Sequence, residues 1–167
     1  MLDEISLPNH PHVHIRPLRA NEHALLAEFF ARLSPKARYY RFLSPFSALP
    51  DSLVQLLASV DGLRSLSLVA EEEREGHPVV IAVGSFSAVD GESVEVAIAV
   101  EDGSQQLGLG TALIDRLLHA AEARGFHRFI VHILAENPAS RRLLERFGRV
   151  VSTQRSGGVS EVAFVRR

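Results

Sequence analysis

Residues Val94 to Leu134 constrain this chain more than any other stretch. VEVAIAV (94–100) alternates with period two: Val94, Val96, Ile98 and Val100 fall on one face, and Glu95, Ala97 and Ala99 on the other. EDGSQQLGLG then brings two glycines one residue apart, Gly108 and Gly110. Apolar side chains follow at helical spacing (Leu109, Leu113, Leu117 and Ala120 or Ala121), which predicts a helix to about Arg124. RFIVHIL (128–134) reads as the next strand. A strand, a helix and a strand in direct succession form a β-α-β crossover, so two strands of the sheet must run parallel.

The remainder of the chain supplies mostly antiparallel partners. HVHIRPL (12–18) is the first expected strand, and Asn21 to Leu33 an amphipathic helix on Leu25, Leu26, Phe29, Phe30 and Leu33. Ser34-Pro35 ends that helix, and PKARYYRFLSP reads as an aromatic-rich linking segment. Asp51 is placed to cap a second helix carrying Leu53, Leu56, Leu57 and Val60, with Gly62 ending it. Strands are expected over Ser65–Glu71 and Val79–Ser87, flanking the charged turn EEEREGHP. Val89-Asp90-Gly91-Glu92 suits a tight primed hairpin turn into the strand from Val94. Asn137 is expected to cap a helix to Phe147, and two strands around Gly157-Gly158 close the chain. The expected order, β-α-α-β-β-β-α-β-α-β-β, describes an α/β mixed sheet of about seven strands with four helices on both faces. One domain over residues 1–167 is the expectation, and steady doubly wound alternation is not.

Bulk properties narrow the function classes. Basic residues number 18 and acidic 20, for a formal charge of −2, without the basic excess a nucleic-acid surface needs. Of the 18 basic residues, Lys36 is the one lysine and the rest are arginine. No cysteine is present, which removes disulfide and thiolate chemistry. No run reaches the roughly 20 apolar residues of a membrane span. MLDEISLPNHPHVH has neither a basic start nor an apolar run, so a cytoplasmic protein without a secretory signal is expected. His10, His12 and His14 alternate and could share a strand face, but no ligand set is completed nearby in the sequence and no metal is expected. His132, mid-strand, reads as a buried, hydrogen-bonded histidine, with an alternative role as a base.

The glycine pair admits two readings. It makes a tight strand-to-helix turn, or it brings backbone close to an anion at the positive end of the helix. A phosphate-binding P-loop needs Lys then Ser or Thr after its last glycine, where this chain has Thr111-Ala112. A dinucleotide fingerprint needs Gly or Ala at Leu113 and an acid near position 130, where the sequence is RFIVHI.

Gln105, Gly108 and Gly110 do fit the pattern Gln-x-x-Gly-x-Gly, which resembles the pyrophosphate loop of the GNAT superfamily of N-acetyltransferases. The preceding strand VEVAIAV, the long helix and AENPASRRLLERFG on the next strand-helix unit are similar to that family as well. Within it, VHIRPLRANEHALLAEFFARLSPKARYYRF and the glutamate opening VEVAIAV resemble the acetyltransferase domain of bacterial protein-lysine acetyltransferases.

The resemblance implies acetyl-CoA as co-substrate and a primary amine as acceptor, a protein lysine or a small molecule. It also implies Glu95 as general base and Gln105, Gln106, Leu107, Gly108, Leu109, Gly110 and Thr111 around the diphosphate. Backbone of Ile98, Ala99 and Val100 would hold the pantetheine arm, and Asn137 would make a second cofactor contact. Tyr39 and Tyr40 lie in the segment that lines the family's acceptor cleft. Many members place a tyrosine seven residues after the asparagine to protonate the leaving thiolate; here that position is Leu144. A non-catalytic acyl-CoA-binding regulator is the alternative this departure favours. Exposed edges of a mixed sheet are compatible with a homodimer.

Overall fold

The computed structural model describes residues 3–7, 10–42, 58–105, 108–134 and 138–166. Among them, eight strands form one sheet: β1 (Asp3–Leu7), β2 (His10–Pro17), β3 (Ser65–Arg74), β4 (His77–Ala88), β5 (Ser93–Val100), β6 (Arg128–Leu134), β7 (Gly148–Ser156) and β8 (Val159–Arg166). Their spatial order is β1-β2-β3-β4-β5-β6-β8-β7. Only the β5–β6 pair is parallel, as the crossover requires. Four helices are described: α1 (His23–Arg32), α2 (Pro35–Phe42), α3 (Leu109–Glu122) and α4 (Pro138–Glu145). None is long and apolar enough to cross a membrane.

The alternation in β5 divides the molecule into two layers. Val94 and Val96 join Leu109, Leu113, Leu117 and Ala121 of α3 and Leu144 of α4 in one buried cluster. Ala99, on the opposite face, packs with Leu26, Phe29 and Phe30 of α1, and Ala37 and Phe42 of α2 lie against that second cluster. The sheet is thus covered by α3 and α4 on one side and α1 and α2 on the other, and β5, like β3 and β4, is a wall common to both cores.

Four expectations change. The strand count rises from about seven to eight because DEISL pairs as β1 with β2, placing Ile5 and Leu7 against the core. PKARYYRF is helix α2 instead of a linker. Ser34 Oγ accepts the Ala37 N–H (3.1 Å) and Pro35 occupies the first helical position, an N-cap followed by the residue best pre-set for a helix start. The β4–β5 connection is not a primed turn. The Asp90 carboxylate accepts the N–H groups of Glu92 and Ser93 at 2.8 and 2.7 Å, so a side chain shapes the loop and Gly91 keeps out of the left-handed region. Carboxylates do reach the histidine row: Glu72 pairs with His10, and Glu4 lies 3.5 and 3.4 Å from His12 and His14. Among the described residues these still form no group of three that could hold a metal ion. The helix expected from Asp51 to Gly62 lies outside the described residues as far as position 57; of its described end Ala58 is helical, while Ser59, Val60 and Asp61 are not, so the helix stops short of Gly62.

Candidate active site

The parallel pair does not stay together. Its ladder covers Ser93↔Arg128, Val94↔Phe129 and Glu95↔Ile130, while β5 runs on to Val100 and β6 to Leu134. Beyond Glu95 the strands splay, and a cleft of about 690 Å³ opens between them. β5 remains bonded to β4 on its other side through Val100. Alternate backbone N–H and C=O groups of Val96 to Val100 therefore face the cleft, where an extended ligand could take the place of a neighbouring strand. One such carbonyl, that of Val100, accepts the Gln105 side-chain amide at 3.0 Å.

The glycines shape one end of the cleft. Gly108 caps α3 with φ of 93°, a left-handed conformation that a side chain disfavours. Gly110 sits in the first turn and lines the cleft. A Cβ there would lie 3.3 Å from Ile98 Cδ1 and 3.6 Å from Leu143 Cδ2, so glycine keeps the passage between β5 and α4 open. The first N–H groups of α3 have no partner within the helix, and its dipole is positive at this end. An anion fits this end; bare backbone and small side chains fit an apolar arm along β5.

Glu95 stands where the strands part, at the head of the splay, with about half of its side chain exposed. By alternation it faces the α1–α2 layer together with Ala97 and Ala99. Arg41 of α2 approaches from above: burial pushes its guanidinium down to about 10, and the Glu95 carboxylate opposes that shift. Arg41 therefore stays charged at neutral pH and keeps a cation near Glu95. His132 of β6 lies on the same sheet face, partly exposed, not buried as expected, because it lines the cleft, its Nδ1 3.5 Å from Glu95 Oε1. Its Nε2 is 3.3 Å from Glu161 Oε2.

The structure brings together Glu95, Ile98, Ala99, Val100, Gln105 and Gly110 as walls of this cleft. Gly108, Leu109 and Thr111 form the α3 start beside it; the Leu109 side chain is buried in the core and offers only backbone. Gln106, Leu107 and Asn137 lie outside the described residues. Tyr40 lines the cleft and Tyr39 does not. Leu144 is buried in the cleft wall, so the expected phenol is replaced by hydrocarbon. Sequence reasoning missed Arg41 as a partner of Glu95, and it missed the link from His132 to Glu161. The signal for the second was the shared period of the three strands; its pairing is non-local.

Comparison with known proteins agrees with this architecture. Residues 25–148 match the model of the acetyltransferase (GNAT) family. The chain is 32% identical over 146 residues to a Pseudomonas aeruginosa protein named as an acetyltransferase, covering 87% of this chain and 78% of that one. Its fold is similar to the GNAT domain of PAT from S. lividans (TM-score 0.84, 22% identity, 98% and 96% of the two chains). It is also similar to a GNAT superfamily phosphinothricin acetyltransferase from Sinorhizobium meliloti in complex with acetyl-CoA (TM-score 0.72, 18% identity, 97% and 88%). A splayed parallel pair, a glycine-opened helix start and a match over most of the chain lead to one conclusion: this protein belongs to the acetyltransferase (GNAT) family.

Proposed function

We propose that this protein transfers an acetyl group from acetyl-CoA to a primary amine, with Glu95 as the general base. The observation that carries the reading is the splay itself. It sets a half-exposed carboxylate at the head of a cleft whose other end is the free start of α3. Acetyl-CoA supplies a thioester. The amine arrives as an ammonium, which has no lone pair to attack with. Glu95 takes that proton directly or through one water, the neutral amine attacks, and the C–N bond forms as the C–S bond breaks; the CoA leaves as a thiolate and, through water, takes up the second N–H proton that the amide must shed. That thiol's acidity makes unaided departure feasible beside Leu144, which offers no proton.

Gln105 to Thr111 would hold the diphosphate by backbone N–H groups and the helix dipole. Backbone of Ile98 to Val100 would bind the arm, and Asn137 would add a contact. A protein lysine is the favoured acceptor, on the resemblance of residues 13–42 to protein-lysine acetyltransferases; a small amine is the alternative. The 167 residues would act as one cytoplasmic domain, and the sheet edges leave room for a homodimer.

Calorimetric titration with acetyl-CoA and a thiol-release assay on lysine peptides and small amines test this reading. Acetyl-CoA should bind the wild type and fail to bind Gly108→Glu, with circular dichroism confirming that the variant folds. Glu95→Gln should bind acetyl-CoA normally and lose about 10²-fold or more in kcat. Normal turnover in Glu95→Gln would remove Glu95 as base. Binding without release on any amine would favour the acyl-CoA-binding regulator that Leu144 suggests.

A further inference from the structure

A base that takes one proton per turnover must also lose it before the next. Glu95 is half exposed in the empty cleft, but its open side is the side an acceptor amine would cover. We propose that His132 and Glu161 form the proton exit from Glu95 to solvent, an inference that rests on Glu95 acting as the base.

The row is built by register. Glu95 pairs with Ile130 across the parallel ladder, and His132 lies two residues further along β6, hence on the same face. His132 pairs directly with Glu161 across the antiparallel β6–β8 ladder. The three side chains therefore stand side by side, with separations of 3.5 and 3.3 Å. In the empty cleft the Glu95 side chain is itself 51% exposed; with its open side covered, the way out runs through the His132 side chain (30% exposed) to that of Glu161 (46% exposed). The other charged or titratable groups of this cleft are Lys36, Tyr40 and Arg41 of α2 and Asp102 beyond β5. The two contacts of the row run directly from His132 to each glutamate and involve none of these groups.

Imidazole suits this place because one ring nitrogen can accept a proton while the other gives one up. Protonated Glu95 passes its proton from Oε1 to Nδ1 of His132. The Nε2–H then transfers to Glu161 Oε2, which loses it to water. Exchange with solvent at the partly exposed ring restores the Nε2–H form. No bond to carbon changes, and one proton leaves per acetyl transferred. His132 is thus a positioning and relay residue that acts through Glu95 and does not touch the acyl group.

A merely structural cross-strand contact would leave the proton traffic untouched, so the test reads proton traffic. Thiol release is followed from pH 6 to 9 in wild type, Glu95→Gln, His132→Gln, His132→Ala and Glu161→Gln. His132→Gln should lower kcat about tenfold, less than loss of a primary base because direct exchange with water persists. Its KM for acetyl-CoA should be unchanged. Added imidazole should restore His132→Ala in a saturable manner and leave Glu95→Gln unrestored. Glu161→Gln should show a smaller fall.

Wild-type kcat and pH profile in His132→Gln, with Glu95→Gln inactive, would overturn the relay and leave the base in place. A fall in His132→Ala that imidazole does not restore would reduce His132 to a structural contact. An active Glu95→Gln, or a wild type that releases no thiol on any amine, would overturn the underlying reading and the relay with it.

Discussion

Glycines at two positions show how differently the same residue type is used. Gly148 opens β7, and a Cβ there would lie 2.3 Å from the Val165 backbone oxygen and 2.7 Å from the Phe164 ring. Backbone in a ladder cannot retreat, so Gly148→Ala should cost more than about 3 kcal/mol, read as a lower urea midpoint. At Gly110 the nearest atoms are ends of the Ile98 and Leu143 side chains at 3.3 and 3.6 Å. These can yield by a few tenths of an ångström, and alanine favours the helix by about 0.5–1 kcal/mol. Gly110→Ala should therefore leave stability near the wild type while weakening acetyl-CoA binding, measured by calorimetry. Equal destabilisation by both substitutions would show that Gly110 serves packing and not the cleft. In the sequence both glycines stand beside helix ends and look alike; only the close approach of β8 to β7 separates them.

At the scale of elements, the far end of β5 is tied down by charge. Arg74 of β3 donates to both oxygens of Glu101 at 3.1 and 2.6 Å, and Arg32 of α1 lies 3.7 Å away. The Arg74 hydrogen bonds hold the Glu101 carboxyl below its ordinary 4.5 in spite of partial burial. Glu22 is held low in the same way by Arg16, which bridges the start of α1 to Glu71 of β3. A depressed carboxylate adds stability above its unfolded pKa and loses it as pH falls through the folded value. Stability should thus be flat near neutrality and decline below about pH 4.5, with a shallower decline in Glu101→Gln. A variant that keeps the wild-type acid slope would show that the tether contributes nothing measurable, the common result for exposed pairs.

Apart from Arg16–Glu22, which are six residues apart, these ties were not legible in the sequence because they join residues 27 or more apart. What was legible is local. The period of VEVAIAV separated Val94 and Val96 from Ala99, two faces that the structure packs against α3 and α1, and the glycine spacing correctly placed the start of α3. PKARYYRF was misread because Ser34-Pro35 both stops one helix and starts another, and α2 buries no residue fully that could reveal a periodic face. The short strand DEISL owes its state to pairing with β2, and strand propensity alone does not reveal pairing. Arg41 and Glu161 escaped notice at the site for the same reason.

For the whole molecule, β3, β4 and β5 each serve both cores among the described residues, and of these β5 is the strand whose free edge lines the cleft. A ligand seated along that edge would bridge the α3–α4 layer and the α1–α2 layer, and unfolding of either would release it. Ligand that binds only the folded chain stabilises it by about 2.7 kcal/mol at a hundred times its Kd. For a chain of this size each kcal/mol raises Tm by roughly 2–4 °C, so saturating acetyl-CoA should raise Tm by roughly 5–10 °C in one cooperative transition. Glu95→Gln should show the same shift, since the base takes no part in holding the thioester. Gly110→Val should show much less, because its side chain meets Ile98 and Leu143 from both walls. Two separate transitions with acetyl-CoA present, only one of them shifted, would mean that the ligand grips a single layer. The common wall would then not couple the cores, and an acceptor on the α2 side would bind no more tightly with acetyl-CoA in place than without it.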